Sequence, residues 1–232
     1  MSALAGRIAV VTGASRGIGA AVAAAFVGAG ARVVRVARSL APGVHDGVHD
    51  LPCDVSDAPA VGRLAEDVLG RIGVPDIVVS NAGIFDRIPF EQAEPAELRR
   101  HLDVNLVGTF AVARGFLPAM RARGSGLFIT IGSIADHVAF PENTIYSTTK
   151  YGLRGLHETL AVEYRGTGVR CTLVSPGPTD TALWDPVDPD HRPEFVPRRA
   201  MLRPADVADA ILFVATRAQN VHVDWLRLNP TL

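Results

Sequence analysis

Lysine is almost absent from this chain. Of 23 lysine and arginine residues in 232, one is lysine, at position 150. Cysteine is scarce as well: Cys53 and Cys171 have no CxxC spacing and no flanking histidines, which excludes a cysteine metal site and favours a reducing compartment. None of the seven histidines shows ligand spacing, so no metal is expected. Excess charge is also missing. The formal net charge is −1, with no basic block, so the electrostatic footprint of a nucleic-acid binder is lacking. Long apolar runs are missing too. Ile8–Val11 is too short for the core of a secretion signal, and the small-residue run Ala20–Ala31 falls below the ~18 residues a membrane span needs. The expectation is a soluble, cytoplasmic protein with no membrane partner.

What is present reads as one globular domain over residues 1–232. Hydrophobic residues make up 48% and charged residues 20%, enough to bury one substantial core. Short β-branched runs predict strands at Arg7–Thr12, Arg32–Ala37, Asp76–Ser80, Leu127–Gly132, Val169–Ser175 and Val221–Leu228, with a weaker one at Val48–Cys53. Helical patterns fill the gaps at Gly17–Gly28, Asp57–Arg71, Pro95–Arg123, Ile145–Thr167 and Ala205–Arg217. Most strands are near-continuous Val/Ile runs, as in a sheet buried on both faces. The alternation predicts an α/β fold: a doubly wound parallel sheet, Rossmann-like, with helices on both faces. One irregular stretch, about 182–204, carries prolines at 186, 189, 193, 197 and 204. It reads as a substrate loop or as a surface excursion.

The first strand runs into Thr12-Gly13-Ala14-Ser15-Arg16-Gly17-Ile18-Gly19 and then an Ala-rich helix. Strand, glycine-rich turn and helix is the context a dinucleotide loop requires. Gly13 permits the tight turn, Gly17 lets the backbone approach a pyrophosphate, and Gly19 packs the helix onto the sheet. The helix start favours the anion. Ser15 and Ile18 are expected cofactor contacts in the same loop. An NAD site usually carries an acid ~20 positions on. Here Ala37 stands 18 residues after Gly19, followed by Arg38, with Arg16 free to approach the same ribose. The missing carboxylate and two guanidinium forks favour a 2′-phosphate, hence NADP(H). Read otherwise, both are ordinary surface arginines. Asp54, with Val55 after it, either accepts from the adenine amine or belongs to a helix N-cap region.

Tyr146 and Lys150 are four apart in a helical pattern, so they share one face. A YxxxK match alone says little. With three tyrosines, however, a lone lysine falls at Tyr+4 roughly one time in eighty by chance. A chain that uses arginine everywhere else needs something at 150 that arginine lacks, namely a compact ammonium on a flexible stem. It can bond a ribose hydroxyl and sit near a phenol. Free tyrosine titrates near ~10, so proton transfer at neutral pH needs its phenolate stabilised by about 4 kcal/mol. Lys150 and an oxidised nicotinamide are the expected joint sources.

These motifs together resemble the short-chain dehydrogenase/reductase family, over essentially the whole chain. Five signals stand in that family's order: the loop Thr12–Gly19, Asn81-Ala82-Gly83, Asn105, Ser133 with Tyr146-x-x-x-Lys150, and Pro176-Gly177. The resemblance implies that Ser133 holds the substrate oxygen, Tyr146 moves the proton, and Asn105 supports a water linking Lys150 to solvent. It implies that Asn81, Ala82 and Gly83 pack beside the adenosine ribose. Pro176, Gly177, Thr179 and Thr181 would border the nicotinamide carboxamide. Ser80 replaces an asparagine common before the Asn-Ala-Gly run. The chain also ends Asn229-Pro-Thr-Leu232, without the Asp-Gly-Gly tail of many members, leaving homodimer and homotetramer both open. The implied activity is hydride transfer between NADP(H) and a small-molecule ketone or secondary alcohol. A non-catalytic NADP sensor or scaffold, and an NAD-dependent alcohol dehydrogenase, are the alternatives. Ala135, Phe140, Trp184 and Phe195 suggest a partly apolar substrate pocket.

Overall fold

The strands form because their Val/Ile runs are buried from both sides. In the computed structural model, which describes residues 2–231, β1 (Ile8–Thr12) is followed by α1 (Gly17–Gly28) and β2 (Arg32–Val36). Next come β3 (Gly43–His45), β4 (Val48–Leu51), α2 (Ala58–Arg71) and β5 (Ile77–Ser80). The second half adds α3 (Pro95–Leu102), α4 (Gly108–Arg123), β6 (Gly126–Ile131), α5 (Thr144–Glu163), β7 (Val169–Pro176), α6 (Pro204–Ala215) and β8 (Trp225–Leu228). They build one eight-stranded sheet in the order β3-β4-β2-β1-β5-β6-β7-β8.

Successive residues along a strand serve opposite faces. Ala9, Val11, Ile77 and Val79 join the core under α1 and α6, whereas Val10, Val34 and Val78 join the core under α2 and α4. The winding reverses between β1 and β5. A doubly wound sheet opens its crevice at the carboxyl ends of the strands at such a point. The expected fold class is correct, and among the described residues no helix is long and apolar enough to cross a membrane.

Two elements depart from the sequence reading. The sheet is not wholly parallel, because β3 pairs antiparallel with β4 at the edge. Asp46 (φ 50°) and Gly47 (φ 81°) form the turn between them. Positive φ at both central residues suits a two-residue hairpin, and Asp-Gly is its sequence signal. The expected helix Pro95–Arg123 is also interrupted. Asp103–Val107 forms a single π-helical turn between α3 and α4. That extra residue re-aims the face, turning Asn105 inward to 1% exposure.

The loop after β7 is held in place. Thr179 bridges Leu202, and Leu202 N–H donates to the Pro178 carbonyl (2.9 Å). Arg198 reaches Asp180 at 2.8 Å and Asp185 at 2.5 Å.

Candidate active site

The crevice at the β1/β5 reversal is stitched by one threonine and one asparagine. Thr12 Oγ1 accepts from the backbone N–H of Asn81 (3.0 Å) and Ala82 (3.1 Å), and Asn81 Nδ2 donates to the Thr12 carbonyl (2.9 Å). Gly13 has φ +67°, and a Cβ there would stand 2.8 Å from Ala82 Cα. A Cβ on Gly19 would lie 2.3 Å from the Gly13 carbonyl oxygen, so its absence lets α1 close on the turn. The α1 N-terminus has neither a side-chain cap nor an acid in its first turn. Its N–H groups therefore face the cleft without an internal anion, as a pyrophosphate requires.

That cleft encloses about 440 Å³ and gathers the expected cofactor set. Gly13, Ser15, Arg16, Gly17 and Ile18 line it from the loop, Arg38 from the end of β2, Asp54 and Val55 from beyond β4, and Asn81, Ala82 and Gly83 from beyond β5. Gly19 lies beneath it as packing. Ala37 also lines the cleft, with no carboxylate at that position. Asp54 does not cap α2; Asp57 does, accepting from Ala60 N–H at 3.0 Å. Asp54 instead accepts from the Ser56 N–H (3.0 Å) and hydroxyl (2.7 Å) and lies 3.7 Å from Arg38. Partial burial acts to raise its carboxyl, but the Ser56 bonds and Arg38 outweigh it and hold it below its ordinary value.

A second cleft of about 560 Å³ opens from the first, sharing Ile18, Asn81, Gly83, Ile84, Thr181 and Leu183. Ser133, Tyr146 and Lys150 line it, with Pro176, Gly177 and Thr179 from the end of β7. Tyr146 and Lys150 do share a face of α5, with Nζ 5.6 Å from the phenol ring centroid. Lys150 is 5% exposed and donates to the Ile131 carbonyl at 2.9 Å. Burial pushes its ammonium down to about 8, against the pull of Asp136. Burial likewise pushes the Tyr146 phenol up to about 12; Ser133 acts in the opposite direction, and Asp136 adds to the rise. Lys150 alone therefore does not bring the phenol into the neutral range.

Ser133 has two tasks. Its Oγ accepts from Ala135 N–H at 3.2 Å, capping a short turn, while it also faces the cleft. Asn105 does not line either cleft. Both its amide hydrogens are committed within the protein, to the Ile84 carbonyl and Thr149 Oγ1 (3.0 Å each), and its Oδ1 accepts from Ile84 N–H at 2.8 Å.

Sequence reasoning missed two groups here. Phe85 continues the phenol into an aromatic wall, with ring centroids 4.9 Å from Tyr146 and 5.3 Å from Trp184. Phe195 extends it, 6.0 Å from Trp184. Asp136 lies wholly buried behind Ser133, and its Oδ2 accepts from Ser133 N–H at 3.1 Å. The spacing Ser133-x-x-Asp136 is a capping-box pattern that could have pointed to it.

The chain is similar to proteins named as dehydrogenases and oxidoreductases. D-threitol dehydrogenase of Mycolicibacterium smegmatis is 34% identical over 226 residues, 92% of this chain and 87% of that protein. Among solved structures, a metagenomic short-chain oxidoreductase in complex with NADP superposes with TM-score 0.82 at 33% identity, over 100% of both chains. An alcohol dehydrogenase of the archaeon Thermococcus sibiricus, complexed with 5-hydroxy-NADP, gives 0.82 at 29% identity, over 97% of this chain and 96% of that one. The sequence pattern described as short chain dehydrogenase matches residues 7–192. A match of that extent, on a chain whose two joined clefts gather the motifs in order, makes this protein a member of the short-chain dehydrogenase family of oxidoreductases.

Proposed function

We propose that the protein transfers a hydride between NADP(H) and a ketone or secondary alcohol carrying an apolar, aromatic-sized substituent. The observation that carries this reading is the meeting of Ser133, Tyr146 and the chain's single lysine in the cleft that opens from the glycine-loop crevice. Bound nicotinamide supplies or takes up the hydride. Ser133 Oγ holds the substrate oxygen, and Tyr146 gives that oxygen a proton in reduction or removes it in oxidation. Lys150, anchored on Ile131, holds a cationic charge near the phenol and offers N–H donors to a ribose hydroxyl. Asn105 fixes Ile84 and Thr149 around the pair.

NADP(H) is preferred over NAD(H) because Ala37 leaves no acid to repel a 2′-phosphate, while Arg16 and Arg38 line the same cleft. Both solved structures named above are NADP-type complexes, which fits this preference. The aromatic wall of Phe85, Trp184 and Phe195 favours an apolar substituent over a polyol. The charges at its rim are paired, Arg87 with Glu142 and Arg192 with Glu194. The stretch 182–204 serves as the substrate loop of a single catalytic domain. Two buried, unpaired cysteines fit a cytoplasmic setting. Exposed Phe110 and Val162, on α4 and α5, fit a homodimer through those helices, with a homotetramer as the larger alternative.

The test is a ketone panel with NADPH or NADH, repeated with Tyr146→Phe. Turnover with NADPH that disappears in the variant is expected. Tight NADPH binding without turnover on any ketone would favour a sensor or scaffold, and stronger NADH use would favour the NAD-dependent reading.

A further inference from the structure

We propose that Asp136 is a positioning residue for this site: it fixes Ser133 from behind and sets a buried carboxylate charge within electrostatic reach of Tyr146 and Lys150. The inference rests on the proposed roles of those residues. Asp136 is 0% exposed, and both its oxygens are bonded. Oδ2 accepts from Ser133 N–H at 3.1 Å and from Ser175 Oγ at 2.6 Å; Oδ1 lies 2.6 Å from His137 Nδ1. Ser175 Oγ in turn accepts from Trp225 Nε1 at 2.9 Å, so the chain of bonds runs from β8 through β7 to the catalytic serine.

The backbone makes room for this carboxylate. A Cβ on Gly132 would lie 2.3 Å from Asp136 Oδ2, so the glycine before Ser133 is the space the carboxylate occupies. Capping a short turn does not require a buried charge, since a neutral amide oxygen accepts the same N–H. A buried carboxylate is costly to desolvate, and such groups cluster where the charge has a use.

That use is legible in the surroundings. The titratable groups around Asp136 are His137, in contact on its own turn, and Tyr146, Lys150, Arg154 and His157 on α5; β7 and β8 contribute the neutral Ser175 and Trp225. Its negative charge favours the protonated form of both members of the catalytic pair. It opposes burial in holding Lys150 cationic and adds to burial in holding Tyr146 a phenol, ready to donate. Removing the charge while keeping the shape should let both protons leave at lower pH.

The experiment uses Asp136→Asn in a Tyr151→Phe, Tyr164→Phe background, where Tyr146 is the single tyrosine. Tyrosinate absorbance is titrated with oxidised NADP present, alongside the pH profile of kcat/KM for alcohol oxidation. The inference predicts a Tyr146 midpoint, and a rising limb, displaced toward acid by on the order of one pH unit. An unmoved midpoint in the folded variant overturns it, whatever happens to the rate, because a purely structural aspartate would lower kcat and leave the midpoint in place. Asp136→Ser, smaller and also neutral, takes its place if circular dichroism shows the Asn variant unfolded, with the same two outcomes. Failure of the hydride-transfer reading shows separately, as a wild-type enzyme without turnover.

Discussion

Lys150 Nζ donates to the backbone carbonyl of Ile131 across 2.9 Å, tying the single lysine of α5 to the end of β6, two residues before Ser133. The bond explains why arginine, used at every other basic position, is absent here. A compact ammonium reaches one carbonyl in a buried space and keeps two further donors. Lys150→Arg is expected to fold but to lose about a hundredfold or more in kcat/KM, read by steady-state kinetics with a thermal melt as the control. An arginine variant with wild-type kinetics would remove the special role of the ammonium.

Cofactor choice is expected to depend on the tip of β2. Arg38→Ala should weaken NADPH binding by about tenfold or more and leave NADH binding nearly unchanged, because only the 2′-phosphate loses a charged partner. Ala37→Asp should reverse the preference by setting a carboxylate against that phosphate. Isothermal titration with both cofactors reads the two effects. Equal losses for NADPH and NADH in Arg38→Ala would mean that the guanidinium only shapes the cleft.

Stability should depend on a buried histidine that lines neither cleft. Burial of His157, bonded to Thr130 Oγ1 at 3.0 Å, pushes its ring from 6.5 down to about 4. Below pH 6.5 the unfolded chain binds a proton that the folded chain refuses until about 4. Stability is therefore full above the upper value, declines as pH falls through this window and levels off below it, a contribution of roughly 3 kcal/mol. Urea unfolding across that range should show the slope in the wild type and lose it in His157→Gln.

Substrate preference should move with the aromatic wall. Trp184→Ala removes the ring between Phe85 and Phe195 and should alter the ranking of ketones, with NADPH affinity held within about threefold. Parallel loss of both would show that Trp184 supports the cofactor cleft rather than the substrate.

The parts of this molecule readable from sequence were those fixed by neighbours along the chain. The glycine loop, the Tyr146–Lys150 spacing and the Val/Ile strands each announce themselves within a few residues, because a turn, a helix face or a buried strand is a local requirement. The edge strand β3 was also local, marked by Asp46-Gly47, yet a three-residue strand is too short to show a period. The π-turn at Asn105 escaped because the apolar pattern runs on across it; what stabilises the turn is a set of bonds to Ile84 and Thr149, 21 and 44 residues away. Asp136 shows its capping-box spacing in the sequence, but not its bond to Ser175, 39 residues on. The aromatic wall joins residues from three separate loops and helices, and nothing in the order of the chain brings Phe85 to Trp184.

In the proposed reaction the Tyr146 hydroxyl is the group that moves the proton. The most direct measurement is stopped-flow oxidation of NADPH with a reactive aryl ketone by wild type and Tyr146→Phe, with NADPH affinity measured on the same samples. The expected result is a rate loss of about a hundredfold to ten-thousandfold at nearly unchanged affinity. A phenylalanine variant that oxidises NADPH as fast as the wild type would contradict it.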